Sequence, residues 1–206
     1  MKLISAIFVS LLFISPASAL DESKLIGKID VDRYQAVENL FSVQLPFDIT
    51  ARTREQIQIQ ERTNSTTTTV AFSHSLPNRP VYRMEITNVP ASEVRLRKFI
   101  NAAYDTLAYY QRAIEQALKS PLKMLDDAII SYQKKQTLKH LFKINTPQPD
   151  LVQYHVMYLS DFGEKIMLCW VNFTVSNPDK TVDAAVLDGS FAKMQKADKF
   201  CQSLRL

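Results

Sequence analysis

Few residues in this chain of 206 are equipped for chemistry: two cysteines, Cys169 and Cys201, three histidines, His74, His140 and His155, and one adjacent carboxylate pair, Asp126-Asp127. A cysteine nucleophile needs an exposed, electropositive sulfur with a base beside it. Cys169 instead stands in the stretch "EKIMLCWVNFTVS", where Met167, Cys169, Val171, Phe173 and Val175 alternate onto one strand face. Cys201 falls on the apolar stripe of a helix expected from Ser190 to about Leu204, in line with Phe191, Met194, Ala197 and Leu204. If that helix covers that face of the strand, both sulfurs point into one layer. A disulfide is then the favoured outcome in an oxidising compartment, with two buried thiols as its rival.

The histidines are far apart, and no two share a helical turn, so neither an HExxH pair nor any other metal-ligand spacing is present. No GxSxG elbow occurs. The three glycines, Gly27, Gly163 and Gly189, are too scattered for a dinucleotide fingerprint or a phosphate loop. No cofactor, metal or catalytic residue is therefore assigned. Asp161-Phe162-Gly163-Glu164 reads as a hairpin turn, and Asp126-Asp127 as helix surface, where neighbours diverge. Asn64-Ser65-Thr66 and Asn172-Phe173-Thr174 match the glycosylation acceptor pattern, the second inside a buried strand. One local concentration of positive charge, Lys134, Lys135, Lys139 and Lys143 with apolar residues between them, is a candidate contact for an anionic surface. Its plain alternative is a solvated helix end running into a strand.

Compartment decides the cysteine question. The chain opens MKLISAIFVSLLFISPASALDES: one lysine, an apolar run from Leu3 to Ile14, Pro16, and small residues at Ala17 and Ala19. That is the anatomy of a secretory signal peptide, with cleavage expected between Ala19 and Leu20. The apolar run is too short to cross a bilayer, which takes about 20 residues. The mature chain is expected to be periplasmic or secreted, with residues 20–37 as an N-terminal segment and 38–206 as one domain. Lys and Arg number 25 against 21 Asp and Glu, a mild excess that does not suggest nucleic acid.

The elements that must position these residues show two periods. Phe41, Val43 and Leu45, then Ile57 and Ile59, Val70 and Phe72, and Tyr82, Met84 and Ile86 recur every second residue, as in antiparallel strands with one buried face. From Leu96 through Ile100, Ala103, Leu107, Tyr110 and Ile114 to Leu118 the period is helical, giving a long amphipathic helix. A second helical stretch is expected from Leu122 to Gln136, with Leu125, Ile129 and Tyr132 on one side. Val152, Tyr154, Val156 and Tyr158, followed by the apolar run from Ile166 to Val175, predict a hairpin. The fold class is α+β, an antiparallel sheet carrying a long amphipathic helix and a C-terminal helix.

"LFSVQLP" near the start, a strand leading into a long helix, and a hairpin followed by "LDGSFAKM" resemble the PsbP-like family of secreted α/β/α sandwich domains. The resemblance covers most of residues 38–200, and the helical stretch 122–136 departs from it. It implies a non-catalytic accessory or binding module. Three classes stay open: an exported protein that binds another protein or an envelope component, a carrier of a lipid or other apolar molecule, and a small secreted hydrolase built around His140 or His155.

Overall fold

The computed structural model describes residues 25–49, 56–76, 79–90, 108–109, 111–116, 119–145, 151–176 and 185–206. The expected signal peptide and its Ala19–Leu20 junction lie outside them. Among the described residues, ten strands form two antiparallel sheets. The smaller sheet has the order β1 (Lys28–Asp30), β2 (Arg33–Gln35), β3 (Ser42–Gln44). The larger contains β4 (Ile57–Thr63), β5 (Thr67–His74), β6 (Val81–Asn88), β7 (Lys123–Tyr132), β8 (Lys135–Asn145), β9 (Leu151–Asp161) and β10 (Lys165–Ser176). Its order is β4-β5-β6-β10-β9-β8-β7. The chain meanders through three strands, crosses to the far edge, and meanders back until β10 closes on β6.

Helical residues 108–109 and 111–116 (α1) belong to that crossover, and Ala185–Cys201 (α2) ends the domain. Most of the long helix expected between Leu96 and Leu118 lies outside the described residues. Ile114 of α1 is buried with Leu138, Phe142, Met157, Leu168 and Trp170 on one face of the large sheet. The small sheet and α2 cover the other face. There Val171, Met167 and Phe173 of β10 meet Tyr34, Val43 and Phe200. Covered on both sides, β9 is buried almost without a break, which is why it reads less clearly as alternating than β6.

The expected helix from Leu122 to Gln136 is corrected: Lys123–Tyr132 is the edge strand β7, and Gln133-Lys134 is the turn into β8. Both turn residues take positive φ, 48° and 62°. Leu125, Ile129 and Tyr132 happen to fit a helical spacing. A register shift between Met124 and Asp126 disturbs the strand's alternation, and its place at the sheet edge leaves much of both faces wet.

The hairpin between β9 and β10 forms as read. Asp161 Oδ1 accepts the Gly163 N–H at 2.7 Å, and Gly163 takes φ of 88°, where a side chain would be strained. The small sheet is tied to β4 by a buried polar clip. Tyr34 donates its hydroxyl to Glu61 Oε2 at 2.6 Å and accepts the Gly27 N–H at 3.0 Å, while Glu61 Oε1 accepts the Val37 N–H at 2.9 Å. A Cβ on Gly27 would lie 2.2 Å from the Gln35 carbonyl oxygen, so the close approach depends on glycine.

Candidate functional site

Cys169 and Cys201 form a disulfide with their Cα atoms 5.5 Å apart, and both are fully buried. It fastens α2 to the central strand β10, in the layer where the apolar row and the helix stripe meet. The sulfurs are consumed as structure.

His140 and His155 both point to the α1 side of the sheet. His140 Nε2 lies 3.4 Å from Asp127 Oδ1, its cross-strand neighbour, so β7 being a strand makes a histidine–carboxylate pair that a helix would have separated. In a hydrolase the other ring nitrogen would face a hydroxyl or thiol nucleophile. Here Nδ1 faces the Met124 thioether at 3.3 Å, and the ring stacks on Phe142. Burial pushes the His140 imidazole below the usual histidine range, against the opposing pull of Asp127 and Asp126. His155 Nδ1 accepts the Trp170 indole N–H at 2.9 Å, which places its own proton on Nε2. Burial lowers its pKa to about 4, so it stays neutral. Neither ring meets a nucleophile among these contacts, and among the described residues no group of three or more His, Cys, Asp or Glu could hold a metal ion.

The four lysines differ in exposure. Lys134 and Lys135 are exposed at the β7–β8 hairpin, Lys139 is half-buried over the Tyr158 ring with Nζ 3.0 Å from Asp198 Oδ2, and Lys143 is buried. Asn64 is exposed, and its side chain accepts the N–H groups of Thr66 and Thr67 in its own turn; Asn172 lies within β10.

His74 is the histidine that reaches a cavity. A cleft of about 620 Å³ opens between α2, the segment after β3 and the adjoining ends of β4 and β5. Its walls are Leu45, Pro46, Phe47, Ile57 and Phe200, and its rim is Gln44, Asp48, His74, Lys196 and Lys199. Ile57 and Phe200 are buried core residues, whereas both lysines are exposed. An aromatic chain fixes the floor: Phe47 stands edge-on to Tyr82 at 5.4 Å and to His74 at 6.2 Å, and Tyr82 meets Phe200 at 5.2 Å. His74 Nδ1 accepts the Leu76 N–H at 3.2 Å, which leaves Nε2–H as the donor of the neutral ring. Desolvation, then the Arg79 charge, lowers its pKa. A volume within 300–1,000 Å³ is typical of small-molecule sites, although this lining is divided evenly between polar and apolar residues. Sequence reasoning treated His74 as a lone histidine and passed over Phe47, Lys196 and Lys199. The recurrence of Lys193, Lys196 and Lys199 every third residue on a helix was the signal available.

No protein-family model and no curated protein sequence matches the chain. Among solved structures, the solution structure of cyanobacterial PsbP from Synechocystis sp. PCC 6803 is 8% identical, covers 78% of this chain and 98% of its own, and superposes with a TM-score of 0.47. A Bacteroides thetaiotaomicron VPI-5482 crystal structure is 9% identical over 86% of this chain, with a TM-score of 0.43; the match spans 48% of that longer protein. A Pseudomonas aeruginosa protein of unknown function is 16% identical over 77% of this chain and 88% of its own, with a TM-score of 0.33. The resemblance to PsbP is one of general fold layout, and no residue role is carried over from any of these structures.

Proposed function

We propose that the protein is an exported, non-catalytic binding module whose ligand is a small, partly apolar molecule held in the cleft beside α2. The cleft carries this reading, because the half-buried Leu45, Pro46 and Phe47 turn apolar surface toward an opening with a polar rim. The signal-like start and the disulfide support export together, since disulfides persist mainly in oxidising compartments. The His140–Asp127 pair favours a structural over a hydrolytic role because its second nitrogen is turned to a thioether.

A melting-temperature screen of the oxidised protein against small apolar and amphiphilic molecules tests the reading. Ligands should raise the melting temperature, since binding at 100-fold excess over Kd stabilises by about 2.7 kcal/mol. The shifts should vanish in Leu45→Trp, which puts a bulky ring at the partly exposed wall of the cleft, provided circular dichroism shows the fold kept. No shift with any compound, or shifts that survive in that variant, would overturn the assignment.

A further inference from the structure

We infer that the cleft takes an amphiphile with a carboxylate or phosphate head, the head lying between Lys196 and Lys199 and the apolar body on Leu45, Pro46 and Phe47. This rests on the cleft being the binding site and adds the chemistry of its ligand. Lys196 and Lys199 are three residues apart on α2, so their side chains leave the helix as neighbours. Neither has an acidic side chain within ion-pair distance among the described residues. Two neighbouring ammonium groups repel each other, and an anion between them relieves that repulsion.

The surrounding charges point the same way. Asp48 is the one carboxylate on the described rim, against two lysines. Asp198, also on α2, is held away from the cleft by Tyr158, which donates to Oδ1 at 2.7 Å, and by Lys139 at 3.0 Å from Oδ2. Lys193, one turn earlier, spends its ammonium on the Thr174 carbonyl at 2.7 Å. Arg79 adds positive potential, lowering the pKa of both His74 and Lys193 after desolvation has done so. With Nδ1 occupied by its own backbone, His74 has Nε2–H left to donate to an acceptor oxygen. A bare anion would leave the partly exposed Leu45, Pro46 and Phe47 uncovered, and a neutral apolar ligand would leave the two lysine charges without a counter-charge from the ligand.

Calorimetric titration of the oxidised protein with decanoate, decyl phosphate, decanol, acetate and inorganic phosphate at low salt is the test. Decanoate or decyl phosphate should bind at least tenfold more tightly than decanol and than the headless or tailless partners. K196Q/K199Q should bring the charged amphiphiles down to the decanol affinity with an unchanged melting temperature, and 0.5 M NaCl should weaken them in the parent protein, because exposed charges are screened. Decanol binding as tightly as decanoate would overturn the anionic head while leaving the cleft as a binding site. Acetate or phosphate binding as tightly as the amphiphiles would overturn the apolar body. No heat from any of the five would overturn the inference together with the assignment of the cleft.

Discussion

The two faces of the seven-stranded sheet are built on different terms. Against α2 and the small sheet, the strands present an apolar row cross-linked by a disulfide and keyed by edge-on aromatic contacts, Phe72 to Phe200 and Tyr34 to Phe72 among them. On the α1 side the same strands set polar groups in local pairs beside a second apolar cluster. Across one line of the sheet Arg83, Trp170, Met157, His140 and Asp127 are successive neighbours. Next to it His155 accepts from Trp170, and buried Glu85 accepts from Arg83 at 2.9 Å. The first face draws its stability mainly from burial and a covalent tie, with the Tyr34–Glu61 clip as a buried polar contact within it. The second depends on groups that must keep the right charge once water is excluded.

Removing the covalent tie should give the largest effect. A disulfide that closes a loop with a sequence separation of 32 is worth about 3–4 kcal/mol in the chain-entropy picture. Cys169→Ala/Cys201→Ala should lose that much in urea unfolding, and its melting temperature should fall by about 10 °C, from about 2–4 °C per kcal/mol for domains of this size. A loss below about 1 kcal/mol would mean that burial alone holds α2 in place.

Acid should strike the other face. His155 has a folded pKa of about 4, below the ordinary 6.5, because burial disfavours its cation. The neutral ring is therefore the one compatible with the fold. Its contribution is complete above pH 6.5 and is lost as pH falls toward 4, about 3 kcal/mol over that window. His140 and His74, also shifted downward, add to it with the same sign. Unfolding free energies measured from pH 7 to 4 should show this slope, and His155→Gln, which keeps an acceptor for the indole without a titrating ring, should flatten it. An unchanged slope in that variant would place the acid sensitivity elsewhere.

What could be read from the chain followed the same division. β6 alternates in sequence because one of its faces is apolar and the other polar, β10 reads as an apolar run because it is covered on both faces, and the row through Cys169 predicted the disulfide once α2 was placed on it. β7 was unreadable because an edge strand with a register shift has no clean period, and because its hairpin turns on Gln133 and Lys134, which lack the glycine or asparagine that usually marks such a turn. The adjacent β-branched pair Ile129-Ile130 was the remaining hint. The His140–Asp127 pair depended on that strand and stayed hidden with it. The cleft was hidden for another reason: Phe47, His74 and Lys199 come from three separate segments, and no local pattern joins them.

A smaller effect is expected where the apolar face carries a buried polar clip. Tyr34→Phe removes the hydroxyl that donates to Glu61 Oε2 and accepts from Gly27, while Val37 N–H still donates to Glu61 Oε1. A hydrogen bond to a charged group is worth about 1.5–3 kcal/mol, and chemical denaturation should show a loss near the low end because the ring still fills its place. No loss would mean that water replaces the hydroxyl, and the face would then be sealed less tightly than its burial suggests.

The smallest effect should come from the half-exposed ion pair at the rim of that same face. Lys139 Nζ and Asp198 Oδ2 are 3.0 Å apart, with side-chain exposures of 25% and 31%, and Tyr158 supplies a second partner to Asp198. Water already solvates both charges, and the aspartate keeps the tyrosine hydroxyl when the lysine is gone, so no charge is stranded. Lys139→Gln should therefore cost less than about 1 kcal/mol in urea unfolding, and the difference from the parent should shrink further in 0.5 M NaCl. A loss above 2 kcal/mol that is insensitive to salt would show that the pair acts as a buried one. The apolar face would then depend on charge beyond the Glu61 clip, and the contrast between the two faces would narrow toward the disulfide.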